Sequence, residues 1–215
     1  MRKYRSSDID TFGLCSVKDR HKNLVSRRGK KRSFLYDRAV SVKEILLSSL
    51  ESKTIPDLSK LVEKLDEKFA EIGYETNATA HAQAVDYAHL IKRYLKDEKK
   101  ELIGINLPAI EYTLNNGDVI SVKPDVIFKE VRFGRTTYYC IKYSCSSKHI
   151  NKTSYEPTLF AWYCKKFLAD MGQPIEENDI IEAGYYYLRK GGDSSGEYSS
   201  GFFNSATTQN LYAYK

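Results

Sequence analysis

Two apolar segments, VISVKPDVIF at residues 119–128 and TTYYCIKYS at residues 136–144, carry the clearest structural signal in the chain. They are rich in β-branched and aromatic residues, which predicts strands. The charged turn RFGR between them, and the NNG sequence at residues 115–117 before them, predict hairpins. With INLPAIEYTL at residues 105–114 as a preceding strand, the pattern predicts three strands joined by hairpins. Asp125 and Lys142 then lie on adjacent antiparallel strands, and we expect them to converge on one point.

The rest of the chain predicts helices around this sheet. Apolar residues at helical spacing predict four helices before it and one after it. They are a short helix after Ser6 or Ser7, then residues 38–51, a helix from Asp57 or Ser59 to Gly73, residues 78–99, and a helix from Pro157 to Gly172. IIEAGYYYLRK at residues 180–190 predicts a fourth strand. We therefore expect an α/β fold with a mixed central sheet flanked by helices.

The length suits a single domain of 215 residues. We expect a mainly helical, basic part at residues 1–100, a sheet core at 101–190, and a Gly/Ser-rich tail or extra hairpin at 191–215. No apolar run is long enough to cross a membrane, and the opening residues carry no apolar core typical of a secretory signal. The four cysteines form no CxxC pair, so a zinc site or disulfide framework is poorly supported and we expect reduced thiols in a cytoplasmic protein.

Positive charge is concentrated near the N-terminus. The chain carries a net charge of +6, while its first 32 residues hold eleven basic and three acidic residues, a local charge of +8. This density is typical of a segment that contacts phosphate groups, and the candidate contacts are Arg27, Arg28, Lys30, Lys31 and Arg32. A solvated surface loop that is basic for solubility explains the same pattern, and both interpretations stay open.

The pairing of Asp125 with Lys142 has a specific chemical meaning when a second carboxylate is close. Two carboxylates hold a divalent ion through hard oxygen ligands, the ion activates water, and the lysine orients the nucleophile or stabilises charge on a phosphate. Such a site hydrolyses phosphodiester bonds. A turn aspartate that follows Pro124 is the structural alternative for Asp125.

The order of these segments resembles the PD-(D/E)xK nuclease superfamily, in its RecB-type branch of CRISPR-adaptation and helicase–nuclease proteins. The resemblance spans nearly the whole chain, and it implies a restriction-endonuclease-like core. The matching segments are SSDIDTFGLCSVKDRHKNL with Cys15, YDRAVSVKEILLSSL, AIEYTL with Glu111, the PD…K pair, YCIKYSCSS, SYEPTLFAWYCKKFL and EAGYYYLRK. It implies Asp125, Lys142 and Glu111 as catalytic residues, with Asp125 and Glu111 as ligands of Mg²⁺ or Mn²⁺.

The departures from the family pattern fall on its catalytic positions. Ser41 stands where the family has histidine, and Cys140 stands where it has the second carboxylate. Its glutamine is replaced near Thr158, and the cysteines that hold an iron–sulfur cluster in some members are not reproduced. A thiol is a soft, poor ligand for magnesium. We therefore expect weak binding of a divalent ion unless Glu111 or Glu130 compensates.

Three hypotheses follow. The first is a nuclease-like protein with impaired catalysis that acts as a binding or scaffolding module, with nucleic acid, DNA by preference, and a protein complex as partners, no membrane and no cofactor. The second is an active, divergent DNA nuclease that uses Asp125, Glu111 and Lys142 with Mg²⁺ or Mn²⁺. The third is a protein partner of a nucleic-acid machine that makes no nucleic-acid contact itself.

Overall fold

The computed structural model describes residues 3–6, 34–75, 77–96, 99–145, 156–188 and 202–206. Four helices lie in these ranges: α1 (Phe34–Glu51), α2 (Leu58–Glu71), α3 (Ala78–Leu95) and α4 (Glu156–Asp170). The eight strands are β1 (Lys3–Arg5), β2 (Lys100–Ile105), β3 (Ile110–Thr113), β4 (Val119–Val122), β5 (Val126–Arg132), β6 (Arg135–Ser144), β7 (Ile180–Tyr187) and β8 (Phe202–Ala206). The expected α/β class is confirmed.

The strands form two mixed sheets. The larger has the order β2-β5-β6-β7-β8, in which only β6 and β7 run parallel. The smaller has the order β1-β4-β3, with β1 parallel to β4. The prediction of three consecutive hairpin-joined strands is therefore wrong. VISVKPDVIF divides at Pro124 into β4 and β5, which belong to different sheets, because proline has no N–H to donate to a ladder.

Apolar side chains alternate along β5 and β6 and divide the core into two layers. Val126, Phe128, Ile141 and Tyr143 face α1, α2 and α3. Ile127, Tyr138 and Cys140 face α4 and the small sheet. This alternation is the period of two expected for a strand that is buried on both faces, and it gives every residue of these strands a defined side of the sheet.

Capping side chains mark the starts of α2 and α3. The side chain of Asp57 accepts a hydrogen bond from the backbone N–H of Ser59 at the start of α2, and that of Asn77 accepts one from Ala80 at the start of α3. The predicted helix over 78–99 ends earlier, at Leu95, and β2 follows it. None of the helices in the described ranges is long and apolar enough to cross a membrane.

The segment that contains Arg27, Arg28, Lys30, Lys31 and Arg32 lies outside the described residues, as does the predicted short helix after Ser6 or Ser7. The described part of the N-terminus is instead the strand β1, which the sequence analysis did not predict. In the predicted tail, the described residues 202–206 form β8, which pairs antiparallel with β7.

Candidate functional site

Asp125 lies directly before β5 and extends the ladder between β5 and β6. Its backbone N–H donates to the carbonyl of Ile141 over 2.9 Å, and its carboxylate accepts a hydrogen bond from the backbone N–H of Tyr143 over 2.7 Å. Pro124 before it supplies no N–H. The side chain of Asp125 thus accepts a hydrogen bond that a strand carbonyl would otherwise accept, which fixes the carboxylate close to the plane of the sheet.

Lys43 reaches this carboxylate from α1. Its Nζ lies 2.8 Å from Oδ1 and 2.8 Å from Oδ2 of Asp125. The Asp125 side chain is 14% exposed and that of Lys43 is 24% exposed, so the pair is largely withdrawn from water. Both carboxylate oxygens of Asp125 therefore carry an ammonium counterion that belongs to the chain itself.

Lys142 lies two residues after Cys140 on β6, so both side chains are on the α4 side of the sheet. Its Nζ is 3.2 Å from Oε1 of Glu156, the first residue of α4, and 5.5 Å from the ring centre of Phe160. Glu156 is only 2% exposed, and the hydroxyl of Ser6 donates to its Oε1 over 2.5 Å. A carboxylate is favoured in the first turn of a helix because it meets the positive end of the helix dipole.

The two charged pairs lie on neighbouring parts of the fold. The ladder ends at the pair Val126↔Ile141, and Asp125, one residue earlier, bonds to Ile141 and Tyr143, the two neighbours of Lys142 on β6. The charged groups of Asp125 and Lys142, however, have separate partners, Lys43 from α1 and Glu156 from α4. The described residues contain no ion pair between Asp125 and Lys142. The fold brings the two residues close together, and each charged group has a separate ion-pair partner.

The other acidic candidates lie away from Asp125. Glu111 is on β3 of the small sheet, half-exposed, and pairs with Lys3 over 2.7 Å. Glu130 is buried and bound by Arg132 Nε over 2.5 Å and by the Tyr139 hydroxyl over 2.9 Å. Burial and the hydrogen bond to Glu130 together raise the pKa of Tyr139 to about 12. The structure therefore does not bring Glu111 or Glu130 to Asp125.

Cys140 and Ser41, the residues that depart from the nuclease pattern, are buried and contribute to packing and local hydrogen bonding. Cys140 is fully buried, and this burial, with the neighbouring Cys164, raises its pKa well above the ordinary value, so it is a neutral thiol. Ser41 is buried and its hydroxyl donates to the carbonyl of Asp37 one helical turn back, over 3.2 Å. Neither side chain offers a hard anionic ligand.

Sequence reasoning missed Lys43, Glu156 and Ser6. Lys43 is one of several lysines in an amphipathic helix, and no spacing distinguished it from a solvated residue. Glu156 carried a weak signal, since an acid before proline is typical of a helix start. The resemblance covers this helix, but it implies a functional position near Thr158 rather than at Glu156.

The donor set does not fit a divalent ion in this arrangement. Magnesium requires several hard oxygen ligands, whereas here one carboxylate has both oxygens bound to an ammonium group. Across the described ranges, no group of three or more histidine, cysteine or acidic side chains is placed to hold a metal ion. No reaction step is therefore derived through such an ion.

No protein-family model matches this chain, and a search of curated proteins finds no match either.

Proposed function

We propose that this chain is a nucleic-acid-associated protein with a nuclease-like fold, in which internal lysine–carboxylate pairs stand where a nuclease holds its metal ion. Its role is to bind rather than to cut. The observation that carries the proposal is the contact of Lys43 Nζ with both oxygens of Asp125. A divalent ion that used Asp125 would first have to displace this ammonium group.

The pair Lys142–Glu156 supports the same proposal. A catalytic lysine must be free to meet the attacking water or the phosphate. Here Lys142 neutralises a carboxylate that is 2% exposed, and its removal from Glu156 would leave a buried charge uncompensated. Lys142 therefore serves the stability of the α4 start, and a role in hydrolysis would carry this cost.

Nucleic-acid binding is supported by charge. The first 32 residues carry a net charge of +8, and this excess exceeds the +6 of the whole chain. Lysine and arginine at this density displace condensed counterions from a phosphate backbone, which makes binding favourable and dependent on salt.

A cleavage assay separates binding from cutting. The purified protein is incubated with single- and double-stranded DNA and with Mg²⁺ or Mn²⁺, alongside the variant Asp125→Ala. We expect no cleavage by either protein. Cleavage by the wild type that Asp125→Ala abolishes would replace the proposal with the active nuclease.

A salt titration tests binding itself. Fluorescence anisotropy with labelled DNA is measured from about 50 to 300 mM salt for the wild type and for the triple variant Lys30→Ala, Lys31→Ala, Arg32→Ala. Each lost phosphate contact lowers the slope of log K against log salt by about 0.7–0.9. The matched control removes three exposed lysines elsewhere, Lys60, Lys64 and Lys99, and is expected to leave the slope unchanged. Equal slopes in all three proteins would contradict phosphate contact by this segment.

A further inference from the structure

The turn between β5 and β6 has an unusual residue at its first position. Arg132 pairs with Arg135, so Phe133 and Gly134 form a two-residue turn, and both have positive φ, 51° and 73°. Positive φ at both central positions is the requirement of a type I′ hairpin turn, which strongly prefers Asn-Gly. A phenylalanine in this conformation is strained, because its Cβ crowds the backbone.

Packing does not offset this strain. Phe133 is 106% exposed, as open as in an isolated peptide, and the neighbouring Val131 is 61% exposed. The exposed ring makes no packing contribution to stability, and Asn adopts this turn conformation at a lower energetic cost than Phe. Strained residues of this kind are concentrated at functional positions.

The base of the turn is held in place by polar contacts. Arg132 is anchored through its Nε to the buried Glu130, and Arg135 donates from its Nε to the carbonyl of Asn178 over 3.2 Å. Arg132 is thereby neutralised by Glu130, whereas Arg135 is exposed and contacts a neutral carbonyl. The turn thus presents an exposed aromatic ring beside an exposed arginine.

We propose that this turn is a wedge that stacks Phe133 on an unpaired base of a nucleic-acid strand, while Arg135 contacts a flanking phosphate. Aromatic rings beside positive charge are the combination that binds single strands without sequence preference. The inference rests on the proposed function and adds a second contact surface to it. Phe133 follows Asp125 by eight positions along β5, about 27 Å at ~3.4 Å per residue, so the wedge is distinct from the candidate site.

The variant Phe133→Asn tests the wedge, because strain and function predict opposite effects on two measurements. Relief of strain is expected to raise the midpoint of thermal unfolding. Loss of the ring is expected to weaken binding of a single-stranded oligonucleotide about tenfold and to remove the quenching of a 2-aminopurine base within it. Phe133→Trp is expected to keep both binding and quenching. Ile55→Asn, at another exposed apolar residue, is the matched control and is expected to change neither oligonucleotide binding nor 2-aminopurine quenching.

The salt slope distinguishes the ring from the arginine. Phe133→Asn is expected to lower affinity at every salt concentration with the slope unchanged, whereas Arg135→Gln is expected to reduce the slope by about 0.7–0.9. Unchanged affinity and quenching in Phe133→Asn, or a lower unfolding midpoint, would overturn the wedge while DNA binding by the chain persists. Absence of binding by the wild type to any nucleic acid would overturn the proposed function as well.

Discussion

The pair Lys43–Asp125 has a measurable coupling energy, which a double-mutant cycle isolates from the other contacts of each residue. The cycle uses Lys43→Met, which keeps the length of the side chain, and Asp125→Asn, which keeps an oxygen that can accept from the N–H of Tyr143. The double variant completes it. Because each single change removes the ion pair, the cycle reports the interaction rather than the sum of two truncations.

The exposures of the two side chains set the expected magnitude. Exposed pairs contribute about 0–1 kcal/mol, whereas removal of one partner of a fully buried pair costs about 3–5 kcal/mol. Here both Nζ–O distances are 2.8 Å and the side chains are 24% and 14% exposed. We therefore expect each single variant to lose about 2 kcal/mol and the double variant to lose about the same. In a chain of this size that corresponds to about 4–8 °C in the unfolding midpoint.

Urea unfolding at pH 7 supplies the free energies, first at 0.15 M and then at 1 M salt. A largely buried pair is screened weakly, so we expect most of the coupling to persist at 1 M. The exposed pair Lys68–Glu71, at a similar distance of 2.7 Å, is the control and is expected to show a much smaller coupling that salt removes. A coupling below about 0.5 kcal/mol for Lys43–Asp125, or one lost at 1 M salt, would refute the reasoning. It would mean that the Asp125 carboxylate is open to another cation.

Three further predictions concern the surroundings of the site. Ser6→Ala removes the 2.5 Å hydrogen bond to the buried Glu156 and is expected to cost about 1.5–3 kcal/mol in urea unfolding, whereas Ser6→Thr keeps the hydroxyl and is expected to cost far less; equal losses would contradict it. Burial raises the pKa of Cys145 from 9.0 to about 11, so its contribution to stability is complete below pH 9 and is lost as the pH rises through 11. We expect Cys145→Ala to lose less stability than the wild type between pH 8 and 11, and parallel curves would argue against this. Gly104→Ala would place a Cβ 2.7 Å from Cδ2 of Leu107 and is expected to destabilise the fold by about 1–3 kcal/mol in thermal unfolding; an unchanged midpoint would show that Leu107 moves freely.

Local patterns were sufficient for several elements. The helix after Asp57 was predicted from apolar residues at spacings of three and four, a capping side chain before it and Gly73 after it, and α2 has these features. The helix that begins near Pro157 and the strand that begins at residue 180 were predicted in the same way. In each case the signal lies within one element, so no distant contact is needed to interpret it.

Patterns failed where pairing partners decide the structure. β2 has charged residues at its start and only half-buried residues after them, and it is a strand because β5 lies beside it. β3 and β4 were expected in the main sheet, but they pair with each other and with β1 to form a second sheet. Glu111 was consequently expected near Asp125 and lies on the other sheet.

The sequence by itself determined the α/β class, the concentration of positive charge near the N-terminus, and the position of Asp125 beside the strand that carries Lys142, because composition and the period of a strand are local properties. Only the tertiary structure decided which charge each of these residues meets. Lys43 reaches Asp125 across 82 positions of the chain, and Ser6 reaches Glu156 across 150. Such partners are selected by the packing of helices against opposite faces of one sheet, and no local spacing encodes that choice.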